Sequence, residues 1–421
     1  MASQTQIAYR DDAEVVWDIT ERDPALFAEL CERVPGLRAQ QAAIAQHMPV
    51  ARTVWPFEGE LYRPAFHNRA FYTAAPHADG GVGFVAIKGT EPFAEDLADR
   101  YGSLTRRRLH FTVFNAIERY PIEEQTVSMA ETLHEATTEA EVALTIQRVY
   151  RARYHALPDV PFPLLVVRWP PAVVERFLAG QRPFLSARAM ALTERLVASE
   201  GLGAYVYYHP DPRPTRILHL GGTLTNELAT TEDFSARERA LANHGIDVER
   251  FMERYLRLAA RLLACGFFPG SAPYMKNGFA TDPQNVLISG AFVDLGNCVA
   301  MRDVVLDHEF YQNWSFALLT LRRTSRALLT DTFMPFWGMH HDDDPLQSLL
   351  AGYVWQHFHD VMREEWAVDR SAHDPRLARI LDQATPIGGL RESLRCLYQV
   401  EQTQGLGTEG RDMPIMFRQK R

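Results

Sequence analysis

Residues 277–298 read N-G-F-A-T-D-P-Q-N-V-L-I-S-G-A-F-V-D-L-G-N-C, and they predict a β-hairpin with polar residues at both ends. Two apolar runs, V-L-I and A-F-V, flank the pair Ser289-Gly290, and such a pair between short apolar runs is typical of a tight turn. Antiparallel strands of similar length begin and end side by side. We therefore expect Asn285, just before the first strand, to lie close to Asp294, just after the second.

The side chains at the two hairpin ends suit a magnesium site. Asn285 offers an amide oxygen, Asp294 offers a carboxylate, and Gly296 lets the backbone approach closely. Mg²⁺ takes few protein oxygens and completes its octahedron with water and phosphate oxygens. We expect Asn285 and Asp294 to bind Mg²⁺ together with ATP. The alternative is an ordinary hairpin whose polar ends are only solvated.

A second candidate residue ends an apolar strand much earlier in the chain. Residues 80–89 read G-G-V-G-F-V-A-I-K-G. Lysines at strand ends are often surface residues. The string V-A-I-K, however, is the form in which protein kinases carry the lysine that binds the α- and β-phosphates, so Lys88 is expected to bind phosphates. Gly81 and Gly83 either cover those phosphates or form a hairpin turn, since their spacing is not G-x-G-x-x-G.

Together the two stretches resemble the protein kinases, and among kinase-fold families they are more similar to selenoprotein O, which transfers AMP. The likeness lies in the nine-residue gap from Asn285 to Asp294, the Ile-Ser-Gly turn, the following Asp-x-Gly and the Lys88-Gly89 segment. It covers residues 80–300 in patches. It implies a two-lobed α+β fold, with a small antiparallel β-sheet N-lobe, a helical C-lobe and Mg-ATP between them.

The resemblance also implies cationic and acidic partners for the nucleotide and for Lys88. Arg168 ends the strand P-F-P-L-L-V-V-R and Arg176 follows eight residues later. Selenoprotein O has a similar pair of arginines, with a gap about one residue shorter and different intervening residues, and there they contact a nucleotide bound in the reversed sense. The guanidinium fork suits phosphate oxygens, although two surface arginines are the alternative. A helical carboxylate must fix the Lys88 ammonium. Glu118 is the first candidate and Glu131 is the second.

The catalytic aspartate of both families is not matched. Protein kinases place it five residues before the metal-binding Asn, where this chain has Ala280, and selenoprotein O places it directly before that Asn, where this chain has Gln284. The selenocysteine-type C-terminal motif is also missing. Asp282 is the one carboxylate in the loop and becomes the candidate general base.

Together with the resemblance to selenoprotein O, which implies transfer of AMP, these residues predict an ATP-dependent transferase that moves AMP from Mg-ATP to a hydroxyl or other nucleophile on a protein or small molecule. The alternatives are a kinase acting on a small molecule or natural product, and a nucleotide-binding pseudokinase scaffold. The predicted organisation is a lobe of N-terminal helices and β-strands at 1–160, a mainly helical lobe with the metal hairpin at 161–402, and a loose tail at 403–421.

Composition favours a soluble globular protein of the cytoplasm. The 421 residues are 46% hydrophobic and 23% charged, with a net charge of −9, so general nucleic-acid binding is not expected. The four cysteines are widely separated, without a C-x-x-C pair, which predicts free thiols in a reducing compartment. No run is long enough to span a membrane, and the N-terminus lacks the pattern of a signal peptide.

Overall fold

The computed structural model describes residues 7–10, 12–51, 61–62, 70–89, 131–182, 187–217, 239, 241–270, 281, 285–314, 317, 321, 364–365 and 375–376. The chain divides into two units, one of residues 1–144 and 161–214 and the other of residues 145–160 and 215–421. Within the described ranges, no helix combines the length and the apolar character needed to cross a membrane.

An antiparallel sheet of seven strands forms the centre of the first unit. Six strands follow one another across it in the order β2 (Glu14–Asp18), β8 (Phe162–Arg168), β9 (Leu202–His209), β6 (Val82–Lys88), β5 (Ala70–Pro76) and β4 (Leu61–Tyr62). A seventh short strand, β7 (Glu131–Thr132), also pairs with β9. Two further strands, β1 (Ile7–Arg10) and β3 (Met48–Ala51), pair with each other outside this sheet.

The middle strands of the sheet are buried along almost their whole length. All eight residues of β9 are buried, and six of the seven residues in each of β6 and β8 are buried. Strands covered on both faces read as continuous apolar or aromatic runs rather than as alternating patterns. The sequence L-G-A-Y-V-Y-Y-H of β9 fits this rule, with its three tyrosines all 2% exposed or less.

Within the described ranges, six helices lie along the chain among the strands of this sheet. They are α1 (Ile19–Arg22), α2 (Pro24–Arg33), α3 (Leu37–Gln46), α4 (Leu133–Tyr154), α5 (Pro171–Gln181) and α6 (Ala187–Glu200). The Asp23 side chain caps α2 by accepting from the Leu26 amide at 3.1 Å, and Pro24 takes the first helical position, where its missing amide costs nothing. The division between the two units falls within α4.

The apolar spacing of residues 13–47, interrupted by Pro35, predicts helices, but the region begins with strand β2. Its residues Val15, Val16 and Trp17 are β-branched or aromatic, and they favour a pleated, half-buried surface. Trp17 is 2% exposed, and its indole donates to the Glu141 carboxylate at 2.7 Å. The helical pattern therefore starts only after this strand, with Asp18 capping α1.

The second unit contains a long amphipathic helix, α7 (Val248–Ala264), followed by the paired strands β10 (Phe267–Phe268) and β11 (Val299–Ala300) and a 3-10 turn at Met301–Asp303. Asp247 caps α7 through the Arg250 amide at 3.0 Å. The helical spacing of its apolar residues predicts one apolar face. That face is buried, and its residues are Phe251, Tyr255, Leu258, Leu262 and Leu263.

The predicted boundary between residues 160 and 161 does not coincide with the division of the structure. β8 and β9 lie beyond that boundary in sequence, but they belong to the same sheet as β6. Residues 145–160, in contrast, belong to the second unit. Phe84 of β6 pairs with His209 of β9 across 125 positions, and local sequence patterns carry no signal for such a pairing. The predicted loose tail lies outside the described residues.

Candidate functional site

Lys88 lies at the end of β6 in a buried cluster of charges. Its side chain is close to two carboxylates, with the ammonium Nζ 3.3 Å from Oε1 of Glu131 and in direct contact with Oε2 of Glu139. Lys88 is 8% exposed, and the two glutamates are 1% and 2% exposed. Lys88 is therefore not a surface lysine, because its charge is held by an ion triad inside the first unit.

The two glutamates come from adjacent elements with different geometry. Glu131 belongs to β7, whereas Glu139 lies in the second turn of α4, which begins directly after β7. A capping box starts this helix: the Glu135 amide donates to Thr132 Oγ1 at 3.1 Å, and the Thr132 amide donates to a Glu135 oxygen at 3.4 Å. The cap fixes where α4 begins and so sets the turn on which Glu139 lies.

Gly89 allows the strands around the triad to approach closely. Its φ is +78°, and a Cβ at this position would lie 2.7 Å from the Gly203 carbonyl oxygen and 2.8 Å from the Glu131 Cβ. Its own carbonyl accepts a buried hydrogen bond from the Trp169 indole at 2.9 Å. Glycine therefore follows Lys88 because the backbone here is left-handed and packs against the chain that carries Glu131.

The structure brings Lys88 to the second-choice glutamate, Glu131, and to Glu139, which sequence reasoning missed. Glu118 lies outside the described residues. A signal for Glu139 was present, because it falls between Ala136 and Ala140 on a helix face whose alanines are fully buried. A charged side chain on a buried helix face requires an ionic partner, and Lys88 is that partner.

The structure does not bring Gly81 and Gly83 to Lys88. Gly81 belongs to the turn between β5 and β6, where its carbonyl accepts from the His77 amide at 2.8 Å. A Cβ on Gly83 would lie 2.5 Å from the His209 carbonyl oxygen, so this glycine serves strand packing. At about 3.4 Å per residue, the turn is about 20 Å from Lys88, and one phosphate cannot contact both. Gly81 therefore belongs to the hairpin turn, whereas Gly83 lies within β6.

The two arginines lie on separate elements. Arg168 ends β8 opposite Glu14 of β2, and its Nη1 donates to the Glu14 Oε2 at 2.8 Å. Both side chains are more than half exposed, and exposed ion pairs of this kind stabilise a fold by less than about 1 kcal/mol. Arg176 lies on α5 and is half-buried. For Arg168, the structure agrees with the surface alternative.

The hairpin predicted at residues 285–294 is present in the second unit as a tight turn. Val286 bridges Phe292, and the Leu287 amide donates to the Ala291 carbonyl at 2.8 Å. The Val293 amide donates to the Asn285 carbonyl at 3.0 Å, so Asn285 lies beside the residue that precedes Asp294. The turn therefore places the backbone of Asn285 opposite Val293, one residue before Asp294.

Helix α7 packs against this turn. The Phe292 ring packs edge-on against Tyr255 with ring centres 5.6 Å apart, and the Tyr255 hydroxyl donates to the Thr281 carbonyl at 2.8 Å. Asn285 is only 3% exposed, while Asp294 is half-buried. The turn thus packs against α7 through Phe292. Asp282 and Gln284 lie outside the described residues.

Replacing Gly290 by alanine should destabilise the second unit more than the same change at Gly266. Both glycines have positive φ, +87° and +82°, and a left-handed alanine costs about 1–2 kcal/mol at either position. Only the Gly290 Cβ would meet backbone, 2.5 Å from the Phe251 carbonyl oxygen, which should add about 1–3 kcal/mol. Urea unfolding of the two variants measures the difference, and equal costs would show that the turn does not pack on α7 as described.

The titratable groups of the described regions limit the chemistry available there. No cluster of three or more His, Cys, Asp or Glu side chains able to hold a metal ion occurs in those ranges, whereas Mg²⁺ needs fewer protein ligands. The described cysteines, at 31, 265 and 298, form no disulfide. Burial raises the pKa of the Cys265 thiol to about 12, so it is not a thiolate nucleophile at neutral pH.

The chain has weak similarity to known proteins. No family model and no curated protein matches the sequence. Among solved structures, the chain is similar to the kinase domain of a specific rhoptry antigen from Toxoplasma gondii, with a TM-score of 0.32 and 11% identity. The match covers 81% of this chain and 97% of that one. This similarity is too weak to define the fold. The strand pairing defines it as an antiparallel sheet combined with helices.

Proposed function

We propose that the protein is an ATP-dependent transferase of kinase-like organisation, which moves AMP from Mg-ATP to a hydroxyl or other nucleophile on a protein or small molecule. The observation that carries the proposal is the contact between Lys88, at the end of a sheet strand, and Glu139, on the helix α4. Kinase-type phosphate binding depends on such a strand lysine and helix glutamate.

The geometry around Lys88 suits phosphate binding for two reasons. The contact with Glu139 holds the ammonium in place, and an ammonium is a donor to phosphate oxygens. Burial at 8% exposure also places that charge where water screens it little, so its attraction for a phosphate is stronger than at a surface. Transfer reactions of this type depend on positioning and charge stabilisation more than on covalent chemistry by the protein.

The turn at residues 285–294 is proposed to supply the magnesium ligands. Asn285 and Asp294 flank the apolar residues of the turn, and their amide and carboxylate side chains are hard oxygen donors of the kind Mg²⁺ prefers. When bound, Mg²⁺ would neutralise charge on the phosphates. The role of this chain is to hold the two oxygen donors on a turn whose position α7 fixes.

AMP transfer is favoured over phosphoryl transfer by the nine-residue spacing of Asn285 and Asp294 and by the Lys88-Gly89 segment. In AMP transfer the acceptor oxygen attacks the α-phosphorus, the bond between that phosphorus and the bridging oxygen to the β-phosphate breaks, and pyrophosphate leaves. Asp282 is proposed to take the acceptor proton. The exposed pairing of Arg168 with Glu14 weakens the case for an arginine clamp on a reversed nucleotide, and it favours a kinase as the second candidate.

Label transfer from ATP tests the reaction directly. ATP labelled on either the α- or the γ-phosphate is incubated with the protein, Mg²⁺ and cell extract, with the Asp294→Ala variant as the blank. We expect the α label to appear on an acceptor and the γ label to be released in pyrophosphate. Acceptor label from the γ position alone would make the protein a kinase. Nucleotide binding without transfer of either label would make it a pseudokinase scaffold.

A further inference from the structure

Lys88 has two carboxylate partners, although one is enough to hold a phosphate-binding lysine in place. Its Nζ contacts Oε2 of Glu139 directly and lies 3.3 Å from Oε1 of Glu131. Any phosphate oxygen that reaches this ammonium therefore comes within a few ångströms of two negative charges. One carboxylate can help an anionic ligand indirectly by positioning the ammonium. The second carboxylate opposes that ligand, so Glu131 and Glu139 have different roles.

The surroundings of the two glutamates indicate which role each has. Glu139 lies on α4, one turn after the capping residue Glu135, in the position of a helix carboxylate that orients a lysine. Glu131 lies on a strand whose backbone pairs with Gly203 of β9, and the backbone of Gly89 packs against its Cβ. Because Glu131 is held in the sheet and is 1% exposed, it cannot turn into solvent when an anion approaches.

We propose that Glu131 is a specificity-determining residue that makes the Lys88 site discriminate against metal-free polyphosphate. A fixed carboxylate beside the ammonium opposes every anion, and the opposition grows with the negative charge of the ligand. ATP bound to Mg²⁺ carries two fewer negative charges than free ATP, so it is opposed less. Glu139 is the positioning residue for the ammonium. This inference rests on the nucleotide binding of the proposed function and names its selectivity.

The test compares the affinity for ATP with excess Mg²⁺ and with EDTA, by calorimetry on the full-length chain. Glu131→Gln should bind metal-free ATP about tenfold more tightly than the wild type, the effect of removing one charge a few ångströms away, and its affinity for Mg-ATP should change by a smaller factor. The ratio of the affinity for Mg-ATP to the affinity for metal-free ATP therefore falls. A purely structural role of Glu131 would alter both affinities together and leave their ratio unchanged.

Three further variants complete this experiment. Glu139→Gln should weaken the binding of both Mg-ATP and metal-free ATP, since it releases the ammonium from its position. Glu141→Gln removes the same charge from the same helix, but at a carboxylate that bonds Trp17 and lies near Arg22, and it should leave the affinity ratio as in the wild type. Glu131→Thr supplies a second neutral side chain suited to a strand if the glutamine variant does not fold.

The outcomes separate the inference from the proposed function. A wild type that binds neither form of ATP would overturn both. Mg-ATP binding with an unchanged ratio in a folded Glu131 variant would overturn the inference alone, as would equal affinities of the wild type for metal-free ATP and Mg-ATP. The inference is supported only by a ratio that falls in Glu131→Gln or Glu131→Thr and stays constant in Glu141→Gln.

Discussion

Lys88→Met should abolish transfer from ATP and also destabilise the first unit. Loss of the ammonium removes a preorganised donor, which typically costs about 100–1,000-fold in turnover. It also leaves Glu131 and Glu139 buried without this cation, and breaking a buried ion pair in this way costs about 3–5 kcal/mol. Label transfer measures the first effect, and urea unfolding measures the second.

A neutral version of the cluster separates the two effects. The triple variant Lys88→Met, Glu131→Gln, Glu139→Gln buries no unbalanced charge, so it should regain part of the lost stability while remaining inactive. Replacing buried ion clusters with neutral groups is often harmless to stability. Full activity of the folded Lys88→Met protein would show that the triad is a structural ion cluster and that Lys88 binds no phosphate.

Asp294→Ala should remove Mg²⁺-dependent ATP binding and leave the fold intact. Loss of a direct ligand should weaken the metal-dependent affinity by more than about 100-fold, because even changes beyond the direct ligands cost 10–100-fold. The fold should persist because the apolar residues of the turn, such as Val286 and Phe292, remain buried against their neighbours. Calorimetry with ATP, with and without Mg²⁺, measures the effect, and thermal melting checks the fold.

Asp303→Ala is the matched control for this variant. Asp303 is a nearby aspartate of the same unit, with a side chain 69% exposed beside Arg302, so its removal should not change ATP binding. Unchanged Mg²⁺-dependent affinity in folded Asp294→Ala, or an equal loss in both variants, would remove the turn from the proposed magnesium site.

The parts of the fold that the sequence predicts correctly are those with local signals. The Ser289-Gly290 pair places the turn because only glycine takes a φ of +87° without strain beside the Phe251 carbonyl. The apolar spacing of α7 likewise identifies its buried face. In both cases residues within a few positions of one another determine the conformation, so periodicity and turn chemistry are sufficient.

The parts that the sequence does not predict depend on pairing between distant segments. β9 lies in a region expected to be helical, and nothing in its local pattern shows that it joins β6 to β8. For the same reason, the sequence predicts only part of the ion triad. Lys88 could be recognised from the string V-A-I-K, but the identity of Glu139 as its partner depends on where α4 lies against the sheet.

The most direct test of the central claim is a crystal structure with Mg²⁺ and a non-hydrolysable ATP analogue. We expect the Lys88 Nζ to lie within about 3 Å of a phosphate oxygen, as a charge-assisted hydrogen bond requires. We also expect the Asn285 amide oxygen and an Asp294 carboxylate oxygen to coordinate the metal at about 2.1 Å. An analogue bound elsewhere, with Lys88 still contacting Glu131 and Glu139 and no metal at the turn, would contradict the proposed function.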